Sequence, residues 1–79
     1  MLILTKHKRF GEYTFMTITD GKKVVDINHG PEGVNVCANN AAHRVWKGMG
    51  KHFQSFTEAA SAYKSSFMRN AIEYASQNI

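Results

Sequence analysis

A change in hydrophobic period near residue 38 limits the possible folds of this chain more than any other feature. Up to about Ala38 the apolar residues alternate with polar ones, and from about Asn39 they recur three and four residues apart. The first spacing is typical of half-buried β-strands and the second of amphipathic helices. The order predicts an α+β fold, with a sheet in the N-terminal half and helix after it.

Four strands are predicted in the first half, at residues 2–7, 12–19, 22–28 and 34–38. These runs are rich in Thr, Tyr, Phe, Val and Ile, which favour strands. Asp20-Gly21 suits a two-residue hairpin turn, and Pro31 between two glycines suits a turn before the fourth strand. We expect an antiparallel sheet of three to four strands.

A two-residue turn at Asp20-Gly21 would also fix the register of the second and third strands. Thr19 would then pair with Lys22, and Thr17 with Val24. The predicted core face carries Thr14, Met16, Ile18, Val25 and Ile27. The opposite face carries a mixture of aromatic, polar and charged residues: Tyr13, Phe15, Thr17, Lys22, Val24, Asp26 and Asn28.

The C-terminal third of the chain has the pattern of a long amphipathic helix that covers the sheet. Ser55 and Glu58 have the spacing of a capping box, in which both side chains satisfy free amides of the first turn. Apolar residues then form one stripe: Phe56, Ala60, Tyr63, Phe67, Ala71 and Tyr74, widened by Met68, Ile72, Ala75 and Ile79.

Residues 39–53 have a less regular pattern. Helical spacing of Ala42, Val45, Trp46 and Met49 predicts a short helix, capped by Asn39 or Asn40. Two glycines that follow favour a loop after it. A fifth strand at residues 45–47 is the alternative.

Length and charge limit the functional classes. The chain has 79 residues, which predicts one domain. So small a core leaves little room for a deep substrate cavity, which argues against an ordinary metabolic enzyme. A net charge of +4 and a pI of about 9.5 favour a polyanionic partner, most often a nucleic acid.

The cellular compartment is predicted from the single cysteine, Cys37, which excludes an intramolecular disulfide and fits a reducing environment. The longest apolar run, residues 1–4, is too short for a signal peptide or a membrane span. We therefore expect a cytoplasmic protein.

No catalytic or metal-binding motif is apparent. Cys37 and His43 could act as nucleophile and base, but Cys37 lies in an apolar run where a cysteine is usually a small buried hydrophobe. The acidic residues are dispersed, and the histidines lack the spacing of a metal site. The sequence predicts no enzyme, no metal and no cofactor.

The glycine-lysine segment Lys47-Gly48-Met49-Gly50-Lys51-His52 is the first candidate binding site. Glycines permit close approach of the backbone to a phosphate, and the segment precedes a predicted helix N-terminus. It is not a Walker motif, since Val45 stands where the first glycine is required. The alternative is an ordinary flexible connection with solvated lysines.

The mixed face of the hairpin is the second candidate. Tyr13 and Phe15 would point the same way, with Lys22 at the end of the paired strand. Exposed aromatics beside basic residues can stack bases and hold phosphates. The alternative is that this face is buried, either by Trp46 and the middle segment or by a second subunit.

These patterns predict a non-enzymatic binding protein whose basic face contacts nucleic acid or a nucleoprotein complex. Accessory proteins of phages and mobile elements, including inhibitors of host defence, have this character. The alternative is a protein-interaction module or small homodimer without nucleic-acid contact. The predicted contact residues are Tyr13, Phe15, Lys22, Lys47, Gly48, Gly50, Lys51 and His52.

Overall fold

The computed structural model describes residues 1–38 and 50–79, and it contains one antiparallel sheet and two helices. The strands are β1 (Ile3–Phe10), β2 (Tyr13–Thr19), β3 (Val24–Gly30), β4 (Gly33–Ala38) and β5 (Lys51–Phe53). The helices are α1 (Phe56–Ser61) and α2 (Ser66–Ser76). The predicted α+β class is confirmed, but the sheet has five strands rather than three or four.

The strands form a meander in the order β1-β2-β3-β4-β5, with every neighbouring pair antiparallel. Short turns make this order possible. Gly11, with φ of 61°, lies between the paired residues Phe10 and Tyr13. Gly33, with φ of 125°, begins β4, and a side chain there would overlap the backbone oxygen of Phe53. Glycine is therefore required at Gly33 for both backbone conformation and space.

The predicted two-residue turn of the β2–β3 hairpin is wrong. Thr19 pairs with Val24, so residues 20–23 form the connection. The Asp20 carboxylate accepts hydrogen bonds from the backbone amides of Lys22 (2.9 Å) and Lys23 (2.8 Å). This side chain closes a wider turn, as aspartate does in Asx turns, and the expected pairing shifts by two residues.

A shift of two residues leaves every side chain on its predicted face, because side chains alternate with a period of two. Met16 now pairs with Ile27 and Ile18 with Val25, and all four are at most 1% exposed. Val34 and Val36 of β4 extend the same buried layer. The predicted core face of the hairpin is confirmed even though its register is not.

The predicted long helix is also wrong, because it is interrupted between α1 and α2. The Ser65 hydroxyl accepts from the backbone amide of Met68 (3.3 Å) and so caps a new helix of 11 residues. Serine competes for backbone hydrogen bonds and favours helix ends over interiors. The apolar stripe continues across the break, so both helices face the sheet.

The capping box at the start of α1 is confirmed. The Ser55 hydroxyl accepts from the amide of Glu58 (3.1 Å), and the Glu58 carboxylate accepts from the amide of Gln54 (2.9 Å). Behind this cap, Ala59 is buried against the sheet, while α2 buries Phe67, Met68, Ala71, Ile72 and Ala75. Together the two helices form the second layer of the core.

The segment before α1 contains a strand that the sequence did not predict at this position. Lys51–Phe53 forms β5 and pairs with β4, where a glycine loop was expected. The predicted short helix and the alternative strand at residues 45–47 lie outside the described residues. Gly50, the first described residue after this gap, forms a bend.

Neither α1 nor α2, the helices within residues 1–38 and 50–79, has the length and apolar character needed to cross a bilayer.

Candidate binding surface

The sheet has a helix-covered face and an opposite face, here named the outer face. The strand registers place one cross-strand row of side chains along its middle: Lys8, Phe15, Asn28, Asn35 and His52. A second row, towards the β1–β2 turn, contains Phe10, Tyr13, Gly30 and Gly33. The outer face is thus aromatic and basic at its β1–β2 end and polar elsewhere.

Three aromatic rings meet at the β1–β2 end. The centroids of Phe10 and Phe15 are 5.5 Å apart with an edge-to-face angle of 64°, and those of Tyr13 and Phe15 are 6.5 Å apart and nearly parallel. Both distances are within the range of favourable ring pairs. Phe10 is 59% exposed and Tyr13 is 39% exposed, whereas Phe15 is half-buried. Phe10 therefore presents the largest accessible aromatic surface.

Tyr13 is held in place by contacts on β3 and in the β3–β4 turn. Its ring lies over Gly30, where any Cβ atom would overlap it. Its hydroxyl donates to the two carboxylate oxygens of Glu32, at 3.2 and 3.1 Å. The hydrogen bond to Glu32 and the negative charge of that carboxylate raise the pKa of Tyr13 above its ordinary value. Tyr13 thus combines a structural role with an exposed ring.

Two lysines of β1 accompany these rings on the outer face. Lys8 pairs with Phe15 and Lys6 pairs with Thr17, so both share the face of the aromatic group. The other two basic residues of β1, His7 and Arg9, lie on the helix side of the sheet, as strand alternation predicts. His7 Nε2 donates to the carbonyl oxygen of Asn78, 2.7 Å away.

The predicted contact residue Lys22 lies elsewhere. It is part of the connection beyond Thr19, at the opposite end of β2 from Tyr13. The seven residues from Tyr13 to Thr19 span about 20 Å of strand. Lys22 therefore lies apart from the aromatic rings, beyond the far end of β2.

The aspartate that shapes this turn has an altered acidity. Backbone amides of Lys23 and Lys22 donate to the Asp20 carboxylate, and they lower its pKa below the ordinary aspartate range. Hydrogen bonds to the charged form of an acid have this effect. The turn that separates Lys22 from the aromatic group is therefore stabilised by an ionised Asp20.

The predicted glycine-lysine site is divided by β5. Lys51 pairs with Val36 on the helix side, where its Nζ lies 5.9 Å from the centroid of the Tyr63 ring. His52 points to the outer face, and its Nδ1 donates to the side-chain oxygen of Asn35 at 3.0 Å. The two side chains point to opposite faces of the sheet, because successive residues of a strand face opposite ways.

Of the remaining predicted residues of this segment, the structure describes only Gly50. Lys47 and Gly48 lie outside the described residues. Gly50 comes directly before β5, and a Cβ atom there would lie 2.9 Å from the carbonyl oxygen of Val36. Gly50 thus permits close approach of the chain to β4, which gives it a packing role.

Possible metal ligands are not grouped in the part of the chain that the structure describes. No set of three or more His, Cys, Asp or Glu side chains within residues 1–38 and 50–79 could hold a metal ion. The half-buried Cys37 lies beside Asp26 on the outer face, and Thr17 donates to Asp26 at 2.7 Å. His43, the base considered for Cys37, is outside the described residues.

The structure therefore brings together a different set from the one predicted: Lys6, Lys8, Phe10, Tyr13 and Phe15, here named the β1–β2 corner. Only Tyr13 and Phe15 were predicted as contact residues. Phe10 and the two lysines could have been found from sequence by extending the first strand to Phe10, because Phe10-Gly11-Glu12-Tyr13 is itself a hairpin turn.

Comparison with protein-family models, with curated proteins and with solved structures finds no match to this chain. The functional argument therefore rests on the geometry of the β1–β2 corner.

Proposed function

We propose that this protein is a non-enzymatic binding module that holds a single-stranded nucleic acid at the β1–β2 corner. The observation that carries the proposal is the exposed Phe10 ring, which stands beside Lys8 on one face of the sheet. The nucleic acid is either free or part of a nucleoprotein complex. The proposal retains Tyr13 and Phe15 from the sequence and replaces Lys22 and Lys51 with Lys6 and Lys8.

The aromatic rings supply the first part of the interaction. A phenyl ring that is 59% exposed contributes little to the core, so its apolar surface is available to a ligand. A base stacked on such a ring contributes about 1–3 kcal/mol to binding. Contact with the half-buried Phe15 limits how Phe10 can move, which lowers the entropy cost of presenting a flat surface.

The lysines supply the second part. Lys6 and Lys8 are two residues apart on one strand, so their Cα atoms are about 7 Å apart and their side chains project together. Both lysines are exposed, and the chain carries a net charge of +4. Phosphates bound here would release condensed counterions, which gives the affinity a steep dependence on salt.

A single strand suits the corner better than a duplex. The bases of a duplex are stacked on one another, and their flat surfaces are not accessible to Phe10. Single strands can splay their bases onto aromatic side chains while basic residues follow the backbone. We expect little preference among bases from stacking alone, since every base has an aromatic face.

The first test is a fluorescence-anisotropy titration with labelled single-stranded DNA and RNA and with duplexes of the same length. We expect the single strands to bind more tightly, with affinity that falls as salt rises. Equal binding of duplex and single strand would leave only a charge interaction. Absence of binding even at low salt would contradict the proposed function.

Matched charge reversals locate the site. Lys6→Glu with Lys8→Glu changes the net charge as much as Lys22→Glu with Lys23→Glu, but only the first pair is in the corner. We expect the β1 pair to weaken binding at least about tenfold, since it removes two phosphate contacts and repels the strand. The turn pair acts only through long-range charge, so equal losses in both variants would contradict the assignment.

We place this activity in the cytoplasm, in an accessory protein of a phage or mobile element. Cys37 is the only cysteine of the chain, which fits a reducing compartment. The small basic fold fits a protein that acts by occupying a nucleoprotein complex rather than by catalysis. Co-purification of a nucleoprotein complex with the tagged protein, lost in the Lys6→Glu/Lys8→Glu variant, is the result expected in the native host.

A further inference from the structure

Strand β1 is the least buried element of the sheet. Among the strands formed by residues 1–38 and 50–79, it lies at one edge and pairs only with β2. Of its side chains only Leu4 is half-buried, and all the others are exposed. The helices lie against the rest of the sheet, with α2 on β2 and β3 and α1 on β4 and β5. β1 thus extends past the helix layer and has accessible surface on both faces.

The backbone of an edge strand is a binding site in itself. Each such strand carries a row of amide and carbonyl groups that have no partner within the sheet, and another extended chain can pair with them. The ladder with β2 is irregular between Leu4 and Lys6 and then regular from Lys6 to Phe10. The regular part offers a straight edge of about five residues.

The charges around this edge select the chemistry of the added chain. Lys6 and Lys8 project to the outer face, while His7 and Arg9 belong to the other face. Lys6, Lys8 and Arg9 are all exposed, so their charges are accessible to a ligand at this edge. A strand lying beside β1 therefore meets positive charge on both of its faces.

We propose that β1 binds an extended acidic segment of a partner protein by strand addition. Such a segment would pair its backbone with the free edge of β1, and its carboxylates on either face would lie beside Lys8 or Arg9. Opposite charges on adjacent strands are stabilising and like charges are destabilising. This surface is the strand edge, so the proposal does not depend on nucleic-acid binding at the corner.

A second copy of this chain is not a suitable occupant. Antiparallel self-pairing centred on His7 would place Lys6 opposite Lys8 twice, which puts like charges side by side. Lysines on an edge strand commonly prevent such self-association. The same charges attract an acidic strand, so they exclude copies of this chain and favour the proposed partner.

The test uses a blocked, labelled peptide of about eight residues, the length of β1, with alternating glutamate and valine. One control peptide has lysine in place of glutamate. The other control keeps the glutamate sequence but carries N-methyl groups on alternate residues. It is prepared in two forms, one for each set of alternate residues. The glutamate peptide is expected to bind and to protect β1 amides from hydrogen exchange. The two controls, which reverse the charge or remove the backbone donors, are expected not to bind.

Two substitutions sharpen the test. Arg9→Glu is expected to weaken the glutamate peptide by about fivefold, because one attraction becomes a repulsion at an exposed site. Arg69→Glu on the exposed surface of α2 makes the same change of charge away from β1 and is expected to have little effect. Arg9 lies on the opposite face from the β1–β2 corner, so oligonucleotide affinity should respond far less to Arg9→Glu than to Lys6→Glu/Lys8→Glu.

Each other result counts against strand addition. Equal binding of the N-methylated peptide would show that charge alone attracts it, and no binding would remove the acidic segment as a ligand. Dimerisation through β1, detected by sedimentation and by protection of β1 amides from hydrogen exchange, would replace the proposed partner with a second copy. Oligonucleotide binding without peptide binding would leave the proposed function standing and overturn this inference alone.

Discussion

The two faces of the β2–β3 hairpin differ in what they contribute. On the helix side Met16, Ile18, Val25 and Ile27 are at most 1% exposed. On the outer side Phe15, Thr17, Asp26 and Asn28 are only half-buried, although they alternate with the first set along the same two strands. The comparison indicates that the helix-side face supplies the buried core, whereas the outer face is the one that we propose for recognition.

The largest expected effect is on the buried face. Ile27→Ala removes a side chain that is 0% exposed and leaves a cavity between sheet and helices, so we expect a loss of about 2–5 kcal/mol in the free energy of unfolding. Asn28→Ala is the matched change on the outer face and should cost less than about 1 kcal/mol. Urea denaturation of both variants measures the difference. Equal losses would mean that both faces are core.

Glycine positions give the next largest effect. Gly33→Ala should destabilise by about 1–3 kcal/mol or more, because φ is 125° and the new Cβ would overlap the Phe53 backbone oxygen. Gly11→Ala has φ of 61° and open space around it, so it should cost only about 1 kcal/mol. Thermal unfolding of both variants checks this order. A smaller loss at Gly33 would contradict the close approach of β4 to the end of β5.

A smaller effect tests the break between the helices. Ser65→Ala should cost about 1 kcal/mol, because the hydroxyl that accepts from the Met68 amide is lost. Ser66→Ala, at the exposed first residue of α2, is the control and should be nearly neutral. Similar values for both serines in urea denaturation would indicate a continuous helix without a cap at Ser65.

The smallest effect concerns the pH dependence of Tyr13 on the outer face. Its hydrogen bond to Glu32 raises its folded-state pKa above the ordinary value of about 10. The contribution to stability is therefore present below pH 10 and is lost as pH rises through the folded-state pKa. Glu32→Gln should shift the ultraviolet titration of Tyr13 back towards its ordinary value, with Tyr13→Phe identifying the signal. An unchanged titration would contradict the contact with Glu32.

The sequence was sufficient to predict the faces but not the connections. Alternation along β2 and β3 assigns each side chain to a face, and a register error of two residues leaves that assignment intact. The turn length depends on whether the Asp20 side chain closes the loop, which a dipeptide pattern does not decide. The helix break was missed because the apolar stripe runs through Tyr63 without interruption, while the cap depends on one serine.

The predicted positions of the contact residues differed in accuracy for the same reason. Tyr13 and Phe15 depend only on alternation, and the structure places both on the outer face. Lys22 and Lys51 depend on the extent of a turn and of a loop, and strand pairing placed each of them elsewhere. β5 has only three residues and lies among glycines and lysines, so its pairing with β4 follows from the tertiary fold rather than from local preference.

The most direct test of the account is the Phe10→Ala variant, measured for both oligonucleotide affinity and stability. Loss of one stacked base should weaken single-stranded binding by about 1–3 kcal/mol, or roughly fivefold to a hundredfold. The urea midpoint should change little, because Phe10 is 59% exposed. Unchanged affinity, or a loss of affinity that only follows a large loss of stability, would contradict the assignment of recognition to the outer face.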